Sequence, residues 1–320
     1  MKKVINVVLA ILAVASTITN AGADQVILKG LDGANLWANP TGAATVTVAP
    51  VAADGPANMV YPTSEAGAWH LFVPDPAVTK MTIDEGAAKI DMPTVGQDAW
   101  RYQINQQRIP LVEGRSYTLT FRAKASLDRP MAIVAQIVEG DWHGVGLSET
   151  PALTSAWQSF KYTFTATKVT DNTMLVFMFG HKPGTVWIGD IVLKPTDAQA
   201  AFPLPATATR VDLLQPVSGI FDVQLSSPFL PITDGSTYRI AFKAKADTLR
   251  PANVTLRITQ PDWHSVGKFD GNFTLGPSWR TYAFTLKSDK SAGATNVLAF
   301  GLGPAKGSIW IADATVTKLD

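Results

Sequence analysis

The feature that most limits what this chain can fold into is that it carries the same text twice. Tyr117-Thr-Leu-Thr-Phe-Arg-Ala-Lys-Ala125 returns as Tyr238-Arg-Ile-Ala-Phe-Lys-Ala-Lys-Ala246, and Asp141-Trp-His-Gly-Val-Gly146 returns as Asp262-Trp-His-Ser-Val-Gly267. Further on, Trp157-Gln-Ser-Phe160 matches Trp279-Arg-Thr-Tyr282, and Trp187-Ile-Gly-Asp190 matches Trp310-Ile-Ala-Asp313. The order is kept throughout, with an offset of 121 at the Asp-Trp-His motif (262 minus 141) that drifts by two positions. Repetition of this kind means two modules of one fold within 320 residues.

Each copy reads as strands. In 117–125 the apolar Tyr117, Leu119, Phe121 and Ala123 alternate with Thr118, Thr120, Arg122 and Lys124, the period of two of a half-buried strand. Phe160, Tyr162 and Phe164 repeat it, as do Val254, Leu256 and Ile258. Short runs punctuated by Glu113-Gly114, Asp234-Gly235 and Lys182-Pro183-Gly184, with no convincing amphipathic helix, predict an all-β protein of two tandem antiparallel β-sandwiches. The first module is expected at 61–197 and the second at 209–320, joined by a Pro- and Ala-rich linker at 198–208. The second copy lacks an equivalent of the strand-like text at 69–73 and 79–83. Because 37–62 loosely repeats 69–93, residues 24–60 are expected to supply the strands the second module is missing.

The first residues are of another kind. Lys2-Lys3, an apolar run over 4–14 and Ala21-Gly22-Ala23 predict a cleaved secretory signal at 1–23; the run is about half of the roughly 20 residues a membrane span needs. A secreted or periplasmic protein with no transmembrane segment after signal cleavage is expected. With 27 basic against 26 acidic residues and no long run of either sign, the charge footprint that nucleic acid requires is missing. Absence of cysteine excludes a disulfide framework and thiolate metal sites, so packing must supply the stability.

The strings Gly114-Arg-Ser-Tyr117-Thr-Leu-Thr-Phe121-Arg-Ala-Lys-Ala125, Asp141-Trp142-His-Gly-Val-Gly-Leu147-Ser, Leu153-Thr-Ser-Ala-Trp157-Gln-Ser-Phe160 and Gly184-Thr-Val-Trp187-Ile188-Gly-Asp190-Ile-Val-Leu193 resemble carbohydrate-binding module families 4 and 9. The resemblance covers nearly all of 60–197 and most of 209–318. It implies a galactose-binding-like jelly roll whose concave face or cleft takes a glucan, xylan or related chain, beside secreted glycoside hydrolases. The Asn-Gly-Asp-Phe-type opening common in that family is absent from both copies, which puts its structural calcium in doubt. No other cofactor is implied. Asp190 and Asp313 offer carboxylates to such a calcium, or cap turns.

Sugars present flat C–H faces edged by hydroxyls, so a site needs exposed aromatic planes and planar polar groups. Trp142-His143 and Trp263-His264 follow strands and sit in loops, where they either contact ligand or plug the sandwich end while the histidine satisfies a loop carbonyl. In 100–105, alternation puts Trp100, Tyr102 and Ile104 on one face and Arg101, Gln103 and Asn105 on the other; Gln224 occupies the matching place in the second copy. Gln136 and Arg257 share the polar side of one repeated strand. Together these nine, Arg101, Gln103, Gln136, Trp142, His143, Gln224, Arg257, Trp263 and His264, outline a binding face. Trp157, Trp187, Trp279 and Trp310 are expected in the core. A catalytic reading rests on Glu139, Asp141 and His143, but neighbours on one loop do not hold two carboxylates apart across a groove, and Gln260 replaces Glu139 in the second copy. Duplication of a weak site favours binding through effective concentration. Non-catalytic binding of polysaccharide or oligosaccharide, β-glucan or xylan, is therefore expected first, a structural or adhesion protein of the cell envelope second, and a hydrolase or lyase third.

Overall fold

Alternation with a period of two runs through nearly every segment, and those segments are strands. The structure, a computed structural model, describes residues 24–320 except 32–33, 52–57, 64–68, 77, 96–97, 139, 197–204 and 260–261. The expected signal, Glu139, Gln260 and most of the expected linker lie outside the described residues.

In chain order the strands are β1 Gln25–Lys29, β2 Asn35–Ala38, β3 Ala44–Pro50, β4 His70–Phe72, β5 Lys80–Asp84, β6 Ala87–Met92, β7 Gln103–Gln106 and β8 Ser116–Ala125. There follow β9 Arg129–Pro130, β10 Ala132–Ile137, β11 Gly144–Glu149, β12 Ala152–Leu153, β13 Gln158–Thr165, β14 Thr173–Met178 and β15 Gly184–Pro195. After the undescribed stretch come β16 Thr207–Leu213, β17 Val223–Ser226, β18 Thr237–Ala246, β19 Arg250–Ile258, β20 Asn272–Leu275, β21 Arg280–Lys287, β22 Asn296–Gly301 and β23 Gly307–Lys318.

Two compact units result, one from residues 54–203 and one from the residues before 54 together with those from 204 onward. In the first, the sheet β11-β10-β14-β7-β4 faces the sheet β13-β8-β15-β6-β5. Ile104, Ile133, Leu175 and Phe177 from one sheet meet Ile90, Leu119, Phe121 and Ile188 from the other, all buried, with the Phe121 and Phe177 rings edge to face at 5.2 Å. In the second, β2-β17-β22-β19-β20 faces β21-β18-β23-β16-β3, with β1 added to β23. Its core gathers Leu225, Val254, Leu256, Leu298 and Phe300 against Ile240, Phe242 and Ile311. The all-β, two-sandwich reading is borne out, and these cores carry the stability, at about 1.5–3 kcal/mol per fully buried large side chain.

The N-terminal strands build into the second sandwich. β1 pairs with β23, β3 with β16, and β2 with β17. Residues 58–60 bond instead to the first, Met59 donating to the Leu193 carbonyl at 2.9 Å. The register differs from the loose sequence match: Trp37 stands opposite Gln224 as Phe72 stands opposite Gln103, an offset of 35 (72 minus 37), whereas the match had set Trp37 on Trp69. β16 starts at Thr207, inside the stretch that composition marks as linker.

Three of the four tryptophans expected in the core are on the outside of the back sheets. Trp187 alternates with the buried Val186 and Ile188, so it points away from the core. Its ring lies 4.9 Å from Lys124 Nζ and its indole N–H donates to Asp84 at 3.0 Å. Trp157 lies under Arg122 and Lys124 at 4.2 and 4.7 Å and donates to Glu85 at 2.8 Å. Trp310 sits between Arg210 and Lys245. Only Trp279 is buried, in a small cluster with Ala208 and Ala312 apart from the main core. Cation–π cover, worth about 0.5–1 kcal/mol at exposed sites, lets a wide ring occupy the outer face of a strand.

Candidate functional site

The outer face of the front sheet is assembled in the same way in both sandwiches. On β7 the side chain of Ile104 is buried in the core, so Gln103 and Asn105 face away from it. The ladders set Gln103 between Phe72 and Met178, and Asn105 between His70 and Val176, while Gln136 stands beside Met174. In the second sandwich Gln224 lies between Trp37 and Gly301, Asn253 between Gly301 and Asn272, and Arg257 beside Val297. Gln103 and Gln224, and likewise Gln136 and Arg257, therefore occupy matching sites, as read from the sequence.

The two glutamines are held alike. Gln103 Nε2 donates to the Trp100 carbonyl at 2.7 Å and Gln224 Nε2 to the Phe221 carbonyl at 2.6 Å. Among the described residues this leaves Gln103 Oε1 buried without a partner, and Asn105 Oδ1 is in the same condition. A buried unpaired acceptor costs about 1–3 kcal/mol, which a ligand hydroxyl would recover. Gln224 Oε1 accepts from Arg257 Nη2.

Trp142 and Trp263 are 52% and 51% exposed, so neither plugs its sandwich. Both have left-handed backbones, at φ 56° and 60°, a conformation that bulky residues rarely adopt without support. The support comes from the histidines. His143 Nδ1 bonds Asp141 Oδ1 at 2.7 Å and Nε2 bonds the Lys168 carbonyl at 2.9 Å; His264 does the same with Asp262 at 2.6 Å and the Lys290 carbonyl at 2.7 Å. Two acceptors require two ring N–H donors, the imidazolium form. Accordingly the loop carbonyl first, and the aspartate second, hold each histidine's pKa above its ordinary value, and the histidine holds each aspartate's below. The ring nitrogens of His143 and His264 are thus engaged by the protein itself, beside the two exposed tryptophans.

Arg101 does not lie on the strand face where alternation puts it. It belongs to a 3-10 turn, Ala99–Arg101, which breaks the alternation, and it is paired with Asp98 at 3.0 Å. Its guanidinium lies 4.9 Å from the Trp100 ring. Trp100, assigned to the buried side by alternation, is 47% exposed and stacks on Phe72 at 6.3 Å and 28°. The first face is thus flanked by Phe72 and Trp100 at the β4 edge and by Trp142 at the β10–β11 turn, three strands away and at the opposite end of the ladder. The second is flanked by Trp37 and Trp263. Sequence reasoning missed Phe72, Trp37, Asn253 and Asn272. For Phe72, alternation within β4 was an available signal.

The two carboxylates that the sequence offers to a calcium are both engaged by cations. Asp190 pairs with Arg122 at 2.7 Å and Asp313 with Lys243 at 2.8 Å, and among the described residues no three acidic, histidine or cysteine side chains converge.

Residues 63–185 match the family described as carbohydrate binding domain, as the motifs implied. Among solved structures, one titled "CBM4 structure and function" is 26% identical, covers 40% of this chain and 86% of its own, with a TM-score of 0.37. The second N-terminal cellulose-binding domain of Cellulomonas fimi β-1,4-glucanase C is 20% identical over 47% of this chain and 99% of its own, with a TM-score of 0.37. The N-terminal tandem CBM22 domain of Paenibacillus barcinonensis Xyn10C is 13% identical over 84% and 100%, with a TM-score of 0.34. No curated protein matches.

Proposed function

We propose that this chain, whose residues 63–185 match a carbohydrate binding domain, holds β-glucan- or xylan-type chains on the front-sheet face of each sandwich without cleaving them. The observation that carries this reading is the pairing, on one face, of exposed aromatic planes with buried amide oxygens that have no partner among the described residues: Phe72, Trp100 and Trp142 about the face that holds Gln103 and Asn105. Aromatic rings stack on the C–H faces of sugars, and the amide oxygens accept hydroxyl protons at the edges. Asp141 and Asp262 are each bound to a histidine on their own loop, a poor arrangement for the two opposed carboxylates that glycoside hydrolysis uses. We place the protein outside the cytoplasm, secreted or periplasmic, beside glycoside hydrolases. Among the described residues no helix is long and apolar enough to cross a membrane.

Affinity electrophoresis through gels containing glucan, xylan or mannan tests the reading. Retardation is expected, and it should vanish when Trp142→Ala is combined with Trp263→Ala while the melting temperature stays put. Passage of the unaltered protein through every gel unretarded would sink the proposal in favour of an envelope structural role. Release of reducing ends or unsaturated sugars by the purified protein would overturn the non-catalytic part.

A further inference from the structure

The two faces share their frame but not their chemistry. In the first, the outward positions of the central strands are largely apolar, Val134 and Met178 partly exposed and Met174 and Val176 covered, with Gln136 at the Trp142 end. In the second, Asn253, Thr255 and Arg257 stand on β19, with Thr255 Oγ1 3.1 Å from Ser265 Oγ and Asn253 Nδ2 donating to Asn272 at 2.8 Å. Where one copy has a neutral amide, the other has a cation.

Arg257 makes no ion pair among the described residues, unlike Arg101, Arg122, Arg210 and Arg250. Its Nη2 donates to Gln224 Oε1, its Nε is buried with no acceptor among the described residues, and burial, unrelieved by any of their acids, pushes its pKa down. The guanidinium lies 4.9 Å from the exposed Trp263 ring and 5.8 Å from Phe221. The nearby carboxylates are engaged elsewhere, Asp262 with His264 and Asp222 with Ser218 and the Gly219 amide, both at 2.7 Å. A partly buried guanidinium between two rings, beside an aromatic stacking surface, is suited to a planar anion carried on a sugar, because its fork of N–H donors matches a carboxylate.

We propose that the second sandwich selects a polysaccharide bearing uronic-acid carboxylates, with Arg257 contacting the carboxylate and Trp263 the sugar plane, while the first face takes neutral stretches. This rests on the carbohydrate reading above. The test uses the full chain with Trp142→Ala silencing the first face. Glucuronoxylan, polygalacturonate and alginate are each compared with the same polymer after chemical reduction of its carboxyls to neutral sugars.

At least one acidic polymer should bind about tenfold more tightly than its reduced form. Arg257→Gln should erase that difference, and Arg257→Lys should restore little of it, because an ammonium lacks the fork. A guanidinium that merely propped Trp263 would weaken acidic and reduced polymers alike. Equal binding of every acid and its reduced form overturns the inference and leaves sugar binding standing; no binding of any polymer by the Trp142→Ala chain overturns the inference, and no binding by the unaltered chain overturns the sugar reading as well. Persistence of the preference in Arg257→Gln with an unchanged melting temperature removes Arg257 from the role. Binding of dextran sulfate as tight as that of the best carboxylated polymer overturns carboxylate selectivity.

Discussion

At the scale of single residues, the Asp-Trp-His triplets are the most informative parts of the molecule. A left-handed backbone at Trp142 and Trp263 costs of order 1–3 kcal/mol, and the Asp–His–carbonyl chain is what holds it. Both histidines have raised pKa values in the folded state. Their support is therefore complete below the ordinary imidazole value of about 6.5 and is lost as pH rises through the higher folded value. Asp141 and Asp262 have lowered values, so their share is present above the ordinary aspartate range and is lost on acidification through the lower folded value. Sugar affinity should therefore be greatest in mildly acidic solution and fall above neutrality, with His143→Ala and His264→Ala variants weaker and flat across that range. Calorimetric titration at several pH values reads this directly; an unaltered protein whose affinity stays constant from mildly acidic solution well into the alkaline range would remove the imidazolium from the design.

At the scale of strands, alternation carried much of what was readable, and its failures have physical causes. Gln103, Gln136, Gln224 and Arg257 fell on the outer face because each sits inside an uninterrupted strand whose neighbours are core. Trp100 was misplaced because a 3-10 turn stands between it and β7, so the strand's phase does not extend back to it. Trp157, Trp187 and Trp310 escape a reading that equates hydrophobicity with burial, because strand cations cover these rings from outside. Trp37 pairs with a strand 187 residues away (224 minus 37), and no local pattern announces such a partner. The unpaired Asn105 Oδ1 makes a prediction at this scale. Asn105→Leu removes a desolvated acceptor, so it should raise the first sandwich's melting temperature by about 2–4 °C while weakening sugar binding there. Thermal scans paired with affinity gels check both halves; a loss of stability would show that Asn105 has a structural partner.

At the scale of the whole molecule, the second sandwich is built from two separated stretches of chain, and its stability should depend on the earlier one. β3 borders β16 along its full length, β1 caps the C-terminal half of β23, and β2 supplies Trp37 to the second face. Ile27, Leu28, Leu36 and Val46 pack against the second core, and Leu31 is part of it. If each loses even half of the roughly 1.5–3 kcal/mol that full burial of such a side chain contributes, the total approaches the 5–15 kcal/mol that a whole domain has to spare. Without residues 24–53, β16 and the end of β23 would also present unpaired backbone to water. A chain lacking 24–53 is therefore expected to lose the second sandwich's melting transition and its protease resistance, together with binding at Trp263. Residues 54–203 contain every strand of the first sandwich, which should melt as before and keep binding through Trp142. Differential scanning calorimetry and limited proteolysis of the shortened chain decide it, since a second transition left in place would mean that 207–318 closes its own core without the N-terminal strands.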